Sequence, residues 1–403
     1  MSIRAIRTVM TLLGIASLAG VAASCGGDDD DVGATPTTSG ELGEATSAIE
    51  VTVPAPPRYV RAADGNVHLE YDLVVTNVMF APVSLASLVV KDGDEELARL
   101  EADALEAVTI PFNGSTPTLD IAASAAVTSL VDVILPTDTY DDVPDHVTNE
   151  LTYTIADDAP FRTVIRTLTV TSPPLEVPRY EPVVIEPPLR GGGWLPFNGC
   201  CTRSAHRSFL LSTDGVLHSV ETFAIDWVLF IDGAPFQGDG SQHSDWYGYG
   251  ETVYSATDGV VVHSRDDLPD APLNDSGGGN DTVQAPDDYG GNGVVVKIDD
   301  DRYALYAHIQ QGSVIPQVGD EISAGDPIGE LGSTGNSSAP HLHFGIQETA
   351  DAFGSNSVPY VIDEYTVTGT AAFSADGELT VTEQNSPQEQ TFPLMNYIVD
   401  FGE

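Results

Sequence analysis

Gly332-Ser333-Thr334-Gly335-Asn336-Ser337-Ser338-Ala339-Pro340-His341-Leu342-His343-Phe344 is the stretch that decides how this chain folds. A glycine-rich loop runs to a proline, and an alternating strand begins just beyond it. Residues i and i+2 of a strand face the same side, so His341 and His343 project together, roughly 6–7 Å apart. Leu342 and Phe344 turn the opposite way, toward a core. Two imidazoles on one face are costly to bury idle, but they suit a metal ligand beside an acid–base group. The glycines ahead of them let neighbouring backbone approach the site closely.

Working outward, Arg302-Tyr303-Ala304-Leu305-Tyr306-Ala307-His308 reads as a second short strand with a histidine at its end. Gly312, Val318-Gly319-Asp320, Gly325-Asp326 and Ile328-Gly329 then mark a series of short hairpins. Upstream, Glu221-Thr222-Phe223-Ala224-Ile225-Asp226-Trp227 sets one aspartate in an apolar strand. A buried carboxylate needs a partner, and a cation is a favourable one. His206, in Ser204-Ala205-His206-Arg207, begins the strand before it.

The Tyr306-Ala307-His308 element, the Gly-Asp hairpins and the Gly332 to Phe344 motif together resemble the lysostaphin and LytM type of zinc metallopeptidases, which cleave peptides of the bacterial cell wall. The order Asp, Tyr-x-His, His-x-His agrees with that family, and the resemblance covers roughly residues 200–348. It implies a β-sheet core with the site in an open groove. It also implies Zn2+ held by Asp226 and His343, with His308 and His341 as the catalytic histidines. Family members usually carry the first ligand four residues before the aspartate, where this chain has Thr222. Here the segment resembles an exported bacterial subgroup in which an upstream His-Arg supplies the ligand, which points to His206-Arg207.

A turn at Thr213-Asp214-Gly215 predicts a hairpin of residues 206–212 and 216–226, with His206 opposite Phe223 or Ala224. His218 lies eight residues from Asp226 on what reads as one strand, about 26 Å if extended, too far for two ligands of one ion. The expected metal set is therefore His206, Asp226 and His343. His263 reads as a strand-end residue, His243 as a loop residue, and His68 and His146 as surface or satisfied histidines. Cys200-Cys201 reads as thiols or a vicinal disulfide shaping the Asn198-Gly199 turn. No G-x-x-x-x-G-K phosphate loop accompanies the glycine runs Gly277-Gly278-Gly279 and Gly290-Gly291, and no G-x-S-x-G turn supports a serine hydrolase.

The whole chain bounds these readings. Its 403 residues carry 61 acidic against 15 basic side chains, a formal charge of −46. Nucleic-acid binding is disfavoured, because neutralising phosphates needs clustered Lys or Arg. Docking on anionic lipid is disfavoured for the same reason. The 41% of apolar residues suffice for a core, while the 38 glycines and 27 prolines favour strands and turns.

Arg4 and Arg7, the apolar run from Val9 to Leu18, and small residues up to Ser24 read as a signal peptide. Ala22-Ala23-Ser24-Cys25 resembles a bacterial lipoprotein signal, with Cys25 becoming the lipidated N-terminus; ordinary secretion is the alternative. The expected order is a signal peptide at 1–24, a flexible acidic linker at 25–47, and a β-sandwich-like module at 48–170. A Pro/Gly-rich linker at 171–193, a metallopeptidase domain at 194–348 and a C-terminal β extension at 349–403 follow.

The chain thus reads as all-β: an N-terminal β-sandwich-like domain followed by a β-sheet-core metallopeptidase domain. The function that follows is a zinc metalloendopeptidase acting on peptidoglycan peptides, exported to the cell envelope and touching membrane only through a lipid anchor at Cys25. The alternative is a non-catalytic envelope protein that binds peptidoglycan or regulates another cell-wall hydrolase.

Overall fold

The computed structural model describes residues 46–273, 283–373 and 379–403. The signal peptide, Cys25, most of the acidic linker and the Gly277-Gly278-Gly279 run lie outside the described residues. Within them the chain is built almost wholly of strands, with one short α-helix at Ala102–Val108. No helix among them is long and apolar enough to cross a membrane.

Two sheets form the N-terminal half. In one, Val67–Asn77 is flanked by Ile49–Thr52 and Ala126–Leu135, and Thr109–Pro111 pairs with the latter. In the other, Val83–Asp92 lies between His146–Ile155 and Glu95–Glu101. Leu69, Leu73, Val131 and Val133 of the first sheet share one core with Leu85, Leu88, Leu151 and Tyr153 of the second.

The Val67–Asn77 strand departs from what its alternation predicts. A period-two pattern places His68, Glu70 and Asp72 on a solvated face, yet they are only 4%, 1% and 2% exposed. The polar face is buried because the C-terminal half packs on it. Arg207 reaches both Glu70 and Asp72, and Ser219 Oγ donates to Asp72. Residues 171–193 are likewise tied into the structure. Leu175–Glu176 pairs with the N-terminal His146–Ile155 strand, and Val183–Ile185 pairs in parallel with Tyr360–Phe373.

Among the described residues the C-terminal half is built on a twelve-stranded sheet, with two separate two-stranded ribbons beside it. Its centre runs Gly192–Phe197, Ile225–Leu229, Leu342–Gln347, Tyr303–Ile309, Asn292–Lys297 and Gly259–Arg265, each strand antiparallel to the next. Tyr360–Phe373 and Tyr397–Asp400 join the same sheet beside Gly192–Phe197. Trp194, Trp227, Tyr306, Leu342, Phe344 and Tyr360 fill the core below it, each at most 1% exposed. The register sets the site. Asp226 pairs directly with His343, and His343 pairs with Ala307, the residue before His308.

Candidate metal centre

Asp226 is the second residue of the Ile225–Leu229 strand, so Ile225 and Trp227 enter the core while its carboxylate turns to the open face. His343 Nδ1 lies 2.9 Å from Asp226 Oδ1. His206 Nε2 lies 3.2 Å from Asp226 Oδ2. One ligand atom from each of the three comes within 4.8 Å of the others. His206 Nδ1 faces the Ala224 carbonyl at 3.1 Å. Both ring nitrogens face acceptors, so each carries a proton. Burial lowers the ring's pKa, but the Asp226 and Glu221 charges prevail and raise it to about 9, and the Nε2 proton is the one a metal ion would displace.

His308 and His341 stand beside this group. His308 Nδ1 donates to the Thr334 carbonyl at 2.7 Å, and His341 Nδ1 to the Ala339 carbonyl at 2.7 Å. Both rings are thereby held by Nδ1, leaving Nε2 for the site, their centroids 4.6 Å apart. His341 Nε2 is 3.5 Å from Asp226 Oδ1. Burial lowers the His308 pKa well below the ordinary range, with His341 and His343 crowding any positive charge placed there, and burial also lowers that of His341. Both are neutral imidazoles at pH 7, able to accept a proton. Asp226 behaves oppositely: burial raises its pKa, but the His206 charge and the hydrogen bonds of His206 and His343 outweigh this and hold it well below the carboxylate range.

The segment bearing His206 differs from the expected hairpin. The observed hairpin is shorter, Leu210–Thr213 against Val216–Ser219, closed by the same Asp214-Gly215 turn. Residues 220–224 turn away from it, so Asp226 lies on a different strand in a different sheet. His206 occupies a single turn, with Ser208 N bonded to Ser204 O and Phe209 N to His206 O. The apolar spacing of Val220, Phe223 and Ile225 imitated a continuous strand because all three are core residues of the turn and the strand after it. His218 pairs with Leu211 and stands outside the group of His206, Asp226 and His343.

Two residues beside the carboxylate were not singled out from sequence. Asn198 Nδ2 donates to Asp226 Oδ2 at 2.8 Å, from a left-handed backbone conformation that asparagine tolerates. The Asn198-Gly199 turn signal was visible; its target, distant in sequence, was not. Glu221, 8% exposed, places Oε2 3.9 Å from His206 Nε2. The other histidines fall elsewhere. His243 meets the Ala271 carbonyl, His263 sits within the Gly259–Arg265 strand, and His146 is exposed. Cys200 and Cys201 form a vicinal disulfide.

Two imidazoles and a carboxylate, buried and convergent, are a donor set that fits zinc with a fourth position left open. A second cluster, His68, Glu70, Asp132 and Cys201, does not fit. Its cysteine is in the disulfide and its glutamate faces Arg207.

The histidines open onto two cavities. One, of about 630 Å³, is mixed in character and bounded by Asn113, Ser115, Arg203 and Asn198. The other, of about 740 Å³, is more apolar and bounded by Leu211, Leu305 and Phe353. Glu221, Tyr289, His308 and His343 border both. Tyr289 separates them, stacked on Phe209 and edge-on to Phe353. Burial and the Glu221 charge raise its phenol pKa, so the hydroxyl stays protonated.

Residues 245–355 match the model of Peptidase family M23. That span contains His308, His341 and His343; His206 and Asp226 precede it. The chain is 39% identical over 71 residues to the glycyl-glycine endopeptidase ALE-1 of Staphylococcus capitis, covering 17% of this chain and 18% of that protein. It is 34% identical over 85 residues to the DD-carboxypeptidase/endopeptidase Mpg of Neisseria meningitidis, covering 21% and 19%. The matches thus span less than a fifth of these relatives. Among solved structures, the catalytic domain of lysostaphin from Staphylococcus simulans aligns at 22% identity with a TM-score of 0.21, over 41% of this chain and 86% of that one. The EnpA catalytic domain from Enterococcus faecalis aligns at 18% with a TM-score of 0.24, over 41% and 88%.

Proposed function

We propose, from the Peptidase family M23 domain that this chain carries at residues 245–355, that the protein is a zinc metalloendopeptidase hydrolysing peptide bonds of peptidoglycan. The observation that carries this reading is the convergence of His206, Asp226 and His343 beside two histidines whose Nδ1 atoms are fixed on backbone carbonyls. His206, Asp226 and His343 would hold the ion. Bound zinc supplies a water of lowered pKa and polarises the scissile carbonyl.

The chain's own groups do the rest. His308 and His341 are neutral, with Nδ1 fixed on backbone carbonyls, so each offers Nε2 as the atom that takes or returns a proton. One removes the proton of the attacking water. As the imidazolium it then is, it returns that proton to the leaving amine, while the other histidine accepts from the second hydrogen of the water and orients it. Asn198, donating to Asp226 Oδ2, keeps that carboxylate oriented. An extended peptide laid across the two cavities passes these histidines, one end in a mixed and the other in a more apolar environment.

Peptidoglycan as substrate is supported by the names of the two relatives, a glycyl-glycine endopeptidase and a DD-carboxypeptidase/endopeptidase. Export and anchoring at Cys25 belong to the same reading: a cell-wall substrate lies outside the cytoplasm, and the Ala22-Ala23-Ser24-Cys25 sequence resembles a lipidation signal. Substituting Cys25→Ser is expected to release the protein from the membrane fraction.

The decisive experiment pairs metal analysis of the purified chain with digestion of isolated cell walls. About one zinc per chain is expected, with muropeptide release that a chelator abolishes and added zinc restores. Full hydrolysis by a metal-free preparation, or a zinc-loaded chain that cleaves no cell wall, would overturn the reading.

A further inference from the structure

We propose that the N-terminal module is part of the candidate metal centre: the buried carboxylates Glu70 and Asp72 on its Val67–Asn77 strand grip Arg207 and so fix the adjacent ligand His206. The inference rests on the zinc reading of His206 given above.

His206 is the one member of the ligand set with no sheet behind it. Asp226 and His343 face each other across a ladder, whereas His206 sits in an isolated turn. A turn of this kind has few backbone bonds of its own, so its side-chain anchors decide where it rests. Those anchors lie largely in the other module. Arg207 is fully buried and places Nη2 2.6 Å from Glu70 Oε2 and Nη1 2.6 Å from Asp72 Oδ1. Nη2 also donates to the Val131 carbonyl at 3.3 Å.

Asp72 acts twice. Its Oδ2 accepts from Ser219 Oγ at 2.8 Å, so one carboxylate holds both the turn before the short hairpin and the strand that ends it. Asn113 brackets the same hairpin, accepting from Leu210 N at 3.1 Å and donating to Leu210 O at 2.9 Å. Arg203 donates to the carbonyls of Ala107 and Ser115, each at 3.1 Å. Residues 203–210 are thus held at three points to the sandwich, while His206 itself points the other way, to Ala224 and Asp226.

A buried, doubly paired arginine is a poor source of net stability, because desolvation offsets its attraction. Its planar fork does fix geometry, accepting partners only in set directions. Adjacent residues share a backbone, so a displaced Arg207 moves His206 off a metal whose ligand distances are tight. Glu70, Asp72 and Asn113 are in this sense positioning residues.

The test uses the full chain. Asp72→Asn keeps the shape and removes the charge. Because that variant leaves a buried guanidinium short of a charge partner and puts the fold at risk, Asn113→Gly is the companion: it removes the bracket on Leu210, buries no charge and retains the left-handed backbone found there. Val133→Ala, whose side chain enters the module core on the sheet face opposite Glu70 and Asp72, controls for general loosening. Zinc affinity is read by competition with a chromophoric chelator well below the melting temperature, and amide exchange over 203–210 is read in the metal-free chain.

Asp72→Asn is expected to weaken zinc binding by about 10–100-fold and to speed exchange over 203–210, with Asn113→Gly moving both the same way by less. Val133→Ala is expected to lower the melting temperature with zinc affinity intact. Unchanged exchange and affinity in both Asp72→Asn and Asn113→Gly would overturn the proposal, as would an equal loss of affinity in Val133→Ala. Should the parent chain take up no zinc, the zinc reading fails, and faster exchange in the variants still separates a working clamp from an inert one.

Discussion

His308 and His341 show how a single hydrogen bond decides what a side chain can do. Each gives its Nδ1 proton to a backbone carbonyl, of Thr334 and Ala339, and so faces the cleft with a lone pair on Nε2. Burial keeps both rings neutral, the state a general base requires. His206 and His343 instead lie against Asp226. The prediction at this scale is a split. His308→Ala and His341→Ala should retain zinc and lose turnover by about 10²–10⁴-fold, whereas His343→Ala should lose the zinc itself. Zinc content beside cell-wall turnover checks it, and intact turnover in either of the first two variants would remove that residue's role. The H-x-H pair was legible because its spacing coincides with the strand period. Asn198 and Glu221 were not, because nothing local in sequence tells which distant carboxylate or imidazole a turn residue will meet.

At the scale of elements, two glycine loops press backbone against backbone where the site is held. Gly335 and Gly291 both have positive φ, and a Cβ on Gly335 would fall on the backbone of Gly291. The same contact carries Thr334, whose carbonyl orients His308 and whose hydroxyl accepts from Asn292 N at 2.8 Å. Gly335→Ala is therefore expected to depress turnover more than zinc affinity, since it displaces the His308 acceptor and leaves the Asp226–His343 ladder in place; equal losses of both would contradict this. The strands carrying His308 and His343 could be placed from sequence because their alternation and apolar runs are unambiguous, whereas the strand carrying Asp226, expected over 216–226, is Ile225–Leu229. The segment between His206 and Asp226 could not. Core residues of a buried turn and of a strand look alike in a short window, and the real hairpin ends at Ser219. Comparing zinc content of His206→Ala with His218→Ala tests the outcome: loss is expected in the first, and retention in the second.

Across the whole molecule, the feature sequence concealed is the buried polar face of the Val67–Asn77 strand. Alternation shows that a face is polar, not that another module covers it. That face has a measurable signature in His68, only 4% exposed, with Nδ1 2.9 Å from Asp132 Oδ1 and Nε2 3.2 Å from Asp64 Oδ2. Glu70 adds its charge, and Cys201, already in the disulfide, lies beside the ring. Burial lowers the imidazole pKa, but the Asp132 and Asp64 hydrogen bonds more than reverse this and raise it to about 10 from 6.5. The folded protein therefore holds a proton that the unfolded chain releases. The stabilisation is complete below pH 6.5 and drains away as pH rises through about 10. Glu70, raised by burial above the usual carboxylate range, contributes a decline of the same sign that begins near pH 4.5. Asp64 works the other way: burial raises its pKa, but its bonds to His68 and Asn66 prevail and hold it at about 2, so its share is present above pH 3.8 and lost only in strong acid. Thermal melts of the full chain from pH 6 to pH 10 should show a falling melting temperature. His68→Gln, which keeps a polar side chain and cannot titrate, should start lower and flatten that slope. Parallel slopes in parent and variant would mean that the buried histidine is not the proton this interface holds.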